Sequence, residues 1–203
     1  MTVSSSENEV SNMYLLVGFG NPGRQYRETR HNVGFMVMDT LAGALHTTLG
    51  RVQSKALVGT AEHAGCKIIL AKPQTYMNLS GQAVAGLMHF YKIPLSNLLV
   101  AHDDLDLPLG TIRMRPGGGS AGQKGLGSTI ERLGTQDFPR LRVGIGRPPG
   151  QMEAAEYVLR DFPSGEREML HAVLEHAAEA ALVFVEYGLN EAMNRYNGSL
   201  QKE

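Results

Sequence analysis

The chain has 203 residues, enough for one domain with a sizeable core. Its composition, 42% hydrophobic and 19% charged, is ordinary for a globular protein, and it contains no run of 18 apolar residues that could cross a membrane. Its single cysteine, Cys66, excludes an internal disulfide, so we expect a protein of the reducing cytoplasm. The formal net charge of −1 neither indicates nor excludes nucleic-acid binding, because a local basic patch is enough to hold a few phosphates.

The predicted elements begin after a polar N-terminal segment. Residues 1–12 lack the basic and apolar regions of a secretory signal and predict a disordered tail, which leaves 13–203 as a single domain. The apolar run at 14–17 predicts a buried strand. The spacing of the apolar residues between positions 33 and 49 then predicts one helix.

A hairpin and a second helix follow. Residues 56–63 and 66–72 predict two strands, and the two-residue link Ala64-Gly65 indicates that they pair antiparallel. Apolar residues at positions 84, 87, 88 and 91 fit one helical face, and the predicted helix ends before Pro94.

The rest of the chain continues the alternation of strands and helices. The predicted elements are strands at 98–103 and 111–116, a glycine-rich loop at 117–125 opening a helix to Leu133, a strand around 141–145, and a helix from near Ser164 to Tyr187. This order predicts an α/β fold: a single domain with a mixed central sheet flanked by helices and a long C-terminal helix.

Three of the apolar strands lead directly into clusters of polar residues. The clusters occupy residues 20–32, 72–78 and 102–106. In open α/β sheets, ligands bind beyond the carboxyl ends of the strands, so clusters that follow parallel strands should meet at one edge. The residues expected to meet there are Asn21, His31, Asn78 and Asp103.

The first cluster contains the glycine pattern of dinucleotide-binding folds. Gly18, Gly20 and Gly23 follow a predicted strand with the spacing G-x-G-x-x-G. In that fold a helix opens at the third glycine to meet the pyrophosphate, but residues 24–31 have no apolar period. A nicotinamide or flavin enzyme is therefore a minor alternative.

The acidic cluster at 102–106 allows three interpretations. It could bind magnesium, it could be an acidic turn, or one aspartate could orient a histidine and stabilise its protonated form. The chain has no Gly-x-Ser-x-Gly nucleophile motif. A His–Asp pair without such a nucleophile favours water as the attacking group, with a histidine as the general base.

Four motifs together closely resemble the bacterial-type peptidyl-tRNA hydrolases, from about residue 15 to 197. They are Gly-Asn-Pro-Gly-x-x-Tyr-x-x-Thr-Arg-His-Asn at 20–32, Lys-Pro-x-Thr-Tyr-Met-Asn-x-Ser-Gly at 72–81, His-Asp-Asp-Leu-Asp-Leu-Pro at 102–108 and Arg-Leu-Arg-Val-Gly-Ile-Gly-Arg-Pro at 140–148. Each motif alone is weak, but four in order at matching spacing are a strong signal. The resemblance implies hydrolysis of the ester between a peptide, or an N-blocked aminoacyl group, and the 3′ end of tRNA.

The resemblance also implies roles for single residues. His31 matches the family's catalytic base, and Asp103 matches the carboxylate that orients it. Asn21 matches the asparagine that helps to distinguish blocked from unblocked aminoacyl-tRNA, with the attacking water held near it. Asn78 matches a substrate-binding asparagine whose amide can donate toward a developing oxyanion.

The remaining implied contacts are with tRNA. Tyr26 and Tyr76 match positions at the site for the 3′ end, and Arg115 and Arg142 match basic positions associated with the phosphates. The expected partner is peptidyl-tRNA, through its acceptor end and phosphates, and we expect a monomer that uses no metal or other cofactor and binds neither DNA nor a membrane.

The chain departs from the family pattern after the glycine-rich loop. Many members have His-Asn where this chain has Gln123-Lys124, and lysine cannot accept a hydrogen bond as asparagine does. The departure leaves a non-catalytic RNA-binding relative as the alternative function. An active enzyme is favoured because Asn21, His31, Asn78 and Asp103 are all present.

Overall fold

The computed structural model describes residues 12–200, so the tail predicted for 1–12 lies, apart from its last residue, outside the described part of the chain. Within that part, eight strands form one mixed sheet in the order β2-β3-β4-β1-β5-β7-β6-β8. The strands are β1 Met13–Gly18, β2 Arg51–Gln53, β3 Ala56–His63, β4 Cys66–Pro73, β5 Leu98–Asp104, β6 Thr111–Arg115, β7 Arg140–Gly144 and β8 Gly198–Ser199. The four central strands β4, β1, β5 and β7 run parallel, and the outer strands pair antiparallel.

Helices cover both faces of the sheet. They are α1 Val33–Ala44, α2 Ser80–Tyr91, α3 Lys124–Leu133, α4 Ala154–Tyr157, α5 Arg167–Tyr187 and α6 Leu189–Tyr196. Leu16 of β1 packs in one core with α1, α5 and α6, while Leu15 and Val17 pack in a second core with α2 and α3. This alternation along β1 is the two-residue period of a strand buried on both faces. No helix among the described residues has the length and hydropathy to span a membrane.

The predicted α/β fold, the antiparallel hairpin and the long helix near the C-terminus are confirmed. The first helix, however, was predicted to reach residue 49, and it ends at Ala44. The chain reverses at His46, which adopts φ +51°, and two β-branched threonines of low helix propensity follow at 47 and 48. Leu45 and Leu49 still pack on the core, so the apolar spacing persists after the helix has ended.

Two glycines allow the start of α1 to lie directly on the ends of β1 and β5. A Cβ atom on Gly34 would lie 2.4 Å from the carbonyl oxygen of Ala101, and one on Gly18 would lie 2.0 Å from that of Gly34. Only glycine permits this approach. After Gly23, the segment Arg24–Tyr26 forms a single 3-10 turn in place of the helix that a dinucleotide site requires. The glycine pattern is therefore explained by packing, and the dinucleotide alternative is not supported.

Candidate active site

A cavity of about 1080 Å³ lies where the predicted polar clusters meet. Its walls come from the segments that follow β1, β4 and β5, from the glycine-rich loop after β6, and from the region of α4. The predicted residues that line it are Asn21, His31, Tyr76, Asn78, Asp103, Arg115 and Arg142. Tyr26 is half-buried and is not among the lining residues.

The centre of the site is a histidine–carboxylate pair. His31 Nδ1 lies 2.8 Å from Asp103 Oδ2, and the two side chains are only 13% and 4% exposed. The backbone N–H of His31 donates to the carbonyl of Val158 at 2.8 Å, which fixes the loop that carries the ring. With Nδ1 donating to the carboxylate, Nε2 of the neutral ring has a lone pair and can take a proton from water. Such a pair can serve chemically as a general base, with the carboxylate stabilising the protonated ring.

A second histidine in the cavity wall is unsuited to that role. His102, on β5, is buried, and its Nδ1 lies 2.7 Å from the carbonyl oxygen of Asp103, so this nitrogen carries the proton. Burial lowers the pKa of His102, and the charge of Asp103 opposes that effect only in part. The ring is therefore neutral, but its Nε2 is buried, unlike a base that has to reach a substrate water.

Asn21 is held by a hydrogen-bond network that the sequence analysis did not identify. The backbone N–H of Asn21 donates to Asn32 Oδ1, and Asn32 Nδ2 donates to the backbone carbonyl of Asn21, both at 2.9 Å. The N–H of Met77 donates to Asn21 Oδ1 at 2.9 Å. Because the amide oxygen is used in this way, Nδ2 is the end of Asn21 available to a ligand. The sequence feature that could have indicated a role for Asn32 is its position next to His31 in the first motif.

Tyr76 and Asn78 stand at the open side of the cavity. Both side chains are exposed, with Tyr76 at 62%, and they flank Met77 at the 3-10 turn Met77–Leu79. An aromatic face and an amide in such positions can contact a ligand that enters from solvent.

The basic residues of the wall differ in how far their charges are already paired. Arg115 is exposed, whereas the Nε of Arg142 lies 2.5 Å from Asp104 Oδ2 and both side chains are mostly buried. Arg140 is buried and donates to two loop carbonyls, and burial lowers its pKa. Exposed Lys124 also lines the cavity. Arg115 and Lys124 are thus the charges best placed to meet an incoming anion.

The aspartates of the acidic cluster at 102–106 form ion pairs and a local hydrogen bond. Asp103 pairs with His31, Asp104 pairs with Arg142, and Asp106 pairs with Arg147 at 2.7 Å. Nowhere between residues 12 and 200 do three or more His, Cys, Asp or Glu side chains form a group that could hold a metal ion. The magnesium interpretation therefore has no support in this arrangement.

Gln123, at the end of the glycine-rich loop, also belongs to the site. Its Nε2 lies 3.1 Å from Asp103 Oδ1, and its Oε1 accepts the N–H of Leu126 at 2.9 Å, which caps α3. In the sequence, this position stands out only as a departure from the family pattern.

The residue before His31 anchors the loop that carries His31. The guanidinium of Arg30 lies 4.6 Å from the ring centroid of Tyr157 and 4.7 Å from that of Phe162, and its Nη1 pairs with Glu166 at 2.7 Å. The backbone N–H of Arg30 donates to the carbonyl of Arg160 at 3.0 Å. A buried cation between two rings holds this loop strongly.

Comparison with known proteins gives consistent matches. A family model described as peptidyl-tRNA hydrolase matches residues 15–203. The chain is 50% identical to a peptidyl-tRNA hydrolase of Carboxydothermus hydrogenoformans over 185 residues, covering 91% of this chain and 98% of that one. It is 49% identical to a chloroplastic peptidyl-tRNA hydrolase of Arabidopsis thaliana, covering 91% of this chain and 64% of that one. The crystal structure of peptidyl-tRNA hydrolase from Acinetobacter baumannii aligns with a TM-score of 0.87 at 37% identity, covering 93% of this chain and 96% of that one.

Proposed function

The chain belongs to the peptidyl-tRNA hydrolase family, a family of carboxylic-ester hydrolases, and from that premise we propose how its residues cleave the ester between a peptide and the 3′ end of tRNA. The proposal rests chiefly on the 2.8 Å pair between His31 Nδ1 and Asp103 Oδ2 in the wall of a large cavity. We propose that residues 13–203 form one catalytic domain.

His31 acts as the general base. Its Nε2 takes a proton from a water near Asn21 while the water oxygen bonds to the ester carbonyl carbon, and Asp103 stabilises the imidazolium that forms. The bond from that carbon to the tRNA oxygen then breaks, and the imidazolium returns the proton to the leaving oxygen. No covalent enzyme intermediate is needed, because water supplies the new bond.

Two amides bind the acyl part of the substrate. The N–H of Met77 occupies Asn21 Oδ1, so Asn21 presents its Nδ2 donor, which suits the carbonyl of a blocked amino group better than a free ammonium. Asn78, exposed at the cavity mouth, donates toward the developing oxyanion. Asn21 thereby contributes to selection of peptidyl over aminoacyl esters.

The tRNA approaches from the open side of the cavity. Tyr76 stacks on the 3′ end, and Arg115 contacts a phosphate, with Arg142 contributing despite its pairing to Asp104. Tyr26 lies outside the cavity lining, and its role at the 3′ end is supported by the family motif alone. We propose a cytoplasmic monomer that acts on tRNA and not on DNA, as the single thiol of Cys66 suits a reducing compartment.

Hydrolysis of an N-blocked aminoacyl-tRNA, with the unblocked compound as control, tests the proposal. His31→Ala is expected to lower turnover by about 10²–10⁴-fold while the protein still folds and tRNA binding remains near wild type. His89→Ala, an exposed histidine of α2 outside the cavity, is the matched control. A His31→Ala variant with more than about a tenth of wild-type turnover would contradict the role of base.

The second candidate, a non-catalytic RNA-binding relative, is not favoured, because phosphate binding requires no His–Asp pair. A wild-type protein that binds tRNA tightly but releases none from the blocked ester would favour it.

A further inference from the structure

The side-chain amide of Gln123 has a defined orientation. Its oxygen must face the backbone N–H of Leu126, which is a donor and lies 2.9 Å away. The NH2 group is therefore the end that faces Asp103 Oδ1, at 3.1 Å. The usual ambiguity between the oxygen and nitrogen of an amide is removed here by chemistry, because a carboxylate accepts and a backbone N–H donates.

This bond occupies the oxygen of Asp103 that His31 does not use. Oδ2 faces His31 Nδ1 and Oδ1 faces Gln123 Nε2, so both ends of the carboxylate are fixed from two different segments of the chain. A carboxylate held at both oxygens cannot turn away from the imidazole. The same Nε2 lies 3.4 Å from the sulfur of Met77, whose backbone N–H holds Asn21. One side chain thus contacts both the His–Asp pair and the segment that orients Asn21.

We propose that Gln123 is a positioning residue for hydrolysis, which holds Asp103 against His31 through a neutral donor. The inference rests on the roles proposed above for His31 and Asp103. An amide neither carries a charge nor exchanges a proton, so Gln123 holds Asp103 without adding a titratable group beside the His–Asp pair. A histidine, which many family members have at this position, would add one.

Several charged or titratable groups line the same cavity as this carboxylate, and they are the same in every variant of Gln123. From the loop after β1 comes His31, from β5 come His102 and Asp104, from β7 come Arg140 and Arg142, and at the start of α3 lies Lys124. A change in the pH profile after substitution of Gln123 alone therefore reports the new group and not a different background.

Gln123→Glu tests the two hydrogen bonds of this side chain separately, because it can keep the bond to Leu126 and lose the bond to Asp103. The carboxylate can still accept the N–H of Leu126, and an acidic group suits a helix N-terminus, so Tm should remain near the wild-type value. At a pH where both neighbouring carboxyl groups are ionised, the end facing Asp103 changes from a donor to a negative acceptor. We expect kcat to fall at least about tenfold with KM changed less than about threefold, because a displaced catalytic group can cost about 10²-fold. The acidic limb of the pH–rate profile should move to higher pH, since the added charge favours imidazolium.

The control is Gln82→Glu, the same substitution on α2, where the side-chain oxygen accepts from Lys55 and does not line the cavity. It should leave kcat and the acidic limb unchanged. Gln123→Ala and Gln123→His form a second comparison that remains available if the glutamate variant does not fold. Histidine retains an N–H donor and should keep kcat near neutral pH within about threefold, whereas alanine should lose about tenfold or more and lower Tm by about 2–4 °C through the lost cap.

Wild-type kcat at a pH where both carboxyl groups are ionised, together with an unmoved acidic limb in Gln123→Glu, would overturn the proposal and reduce Gln123 to a helix cap. Equal kcat in Gln123→Ala and Gln123→His would overturn it as well. Turnover of His31→Ala in the same assay distinguishes this failure from failure of the proposed function. An inactive His31→Ala beside a fully active Gln123→Glu refutes only the positioning role, whereas an active His31→Ala refutes the general base itself.

Discussion

Asp103→Asn is the substitution with the sharpest structural consequence. Gln123 Nε2 donates to one oxygen of residue 103, so the oxygen of the new amide is expected to stay with Gln123. The NH2 of that amide would then face His31 Nδ1, 2.8 Å from the position of Oδ2. Two donors cannot share a hydrogen bond, so Nδ1 must become the acceptor and the proton of the neutral ring must move to Nε2. The ring would then present a donor to the water that it should deprotonate.

The expected loss follows from the burial of the pair. Removing one partner of a buried ion pair costs about 3–5 kcal/mol, but His31 is 13% exposed and borders an open cavity, which favours the lower part of that range. A loss of about 3–4 kcal/mol of transition-state stabilisation corresponds to roughly 150-fold to 1000-fold in kcat. The missing carboxylate also makes the imidazolium less favourable, so the acidic limb of the pH–rate profile should move to lower pH.

Single-turnover hydrolysis of an N-blocked aminoacyl-tRNA, followed across pH, measures both effects. Asp39→Asn is the matched control, because it removes a carboxylate from an exposed ion pair with Lys72 that lies outside the cavity lining. It should behave as wild type. An Asp103→Asn variant with kcat within threefold of wild type, or with an unmoved acidic limb, would show that Asp103 does not stabilise protonated His31.

Three further outcomes are expected. Arg115→Ala should weaken tRNA binding and reduce the slope of log K against log salt concentration by about 0.7–0.9, as for one lost phosphate contact. Arg142→Ala should reduce that slope less, because the charge of Arg142 is already paired with Asp104. Equal slopes in wild type and Arg115→Ala would place the RNA elsewhere on the surface. Lys124→Asn should change turnover only modestly, and a large gain over a nearly inactive wild type would revive the non-catalytic alternative. Gly34→Ala should destabilise the fold by about 1–3 kcal/mol and lower turnover, because the new Cβ would lie 2.4 Å from the Ala101 carbonyl oxygen. An unchanged Tm in thermal unfolding would show that the start of α1 does not need a glycine at this position.

The elements that the sequence predicts well are those defined by local patterns. The buried strands β1 and β5 are apolar runs, and α2 has a regular helical spacing, so their positions follow from neighbouring residues alone. The clustering of Asn21 and Asp103 at one edge follows from parallel strand direction, which the alternation of helices and strands implies.

The features that the sequence did not predict depend on contacts between distant segments. The bond from Gln123 to Asp103 joins residues 20 positions apart, and that from Met77 to Asn21 joins residues 56 apart. The pairing of Arg142 with Asp104 is likewise set by the register of β7 beside β5. A short element such as α4 has too few residues for a periodic signal.

The anchoring of the loop that carries His31 determines when the proposed site can form during synthesis. His31 emerges early from the ribosome, but its backbone and that of Arg30 are held by carbonyls of residues 158 and 160, and the Arg30 side chain is held by Tyr157, Phe162 and Glu166. A nascent chain that ends before these partners contains His31 without the groups that hold its loop. While it is being synthesised, the protein is itself a peptide esterified to tRNA, and the proposed site in its own cavity is assembled only after most of its chain has been translated.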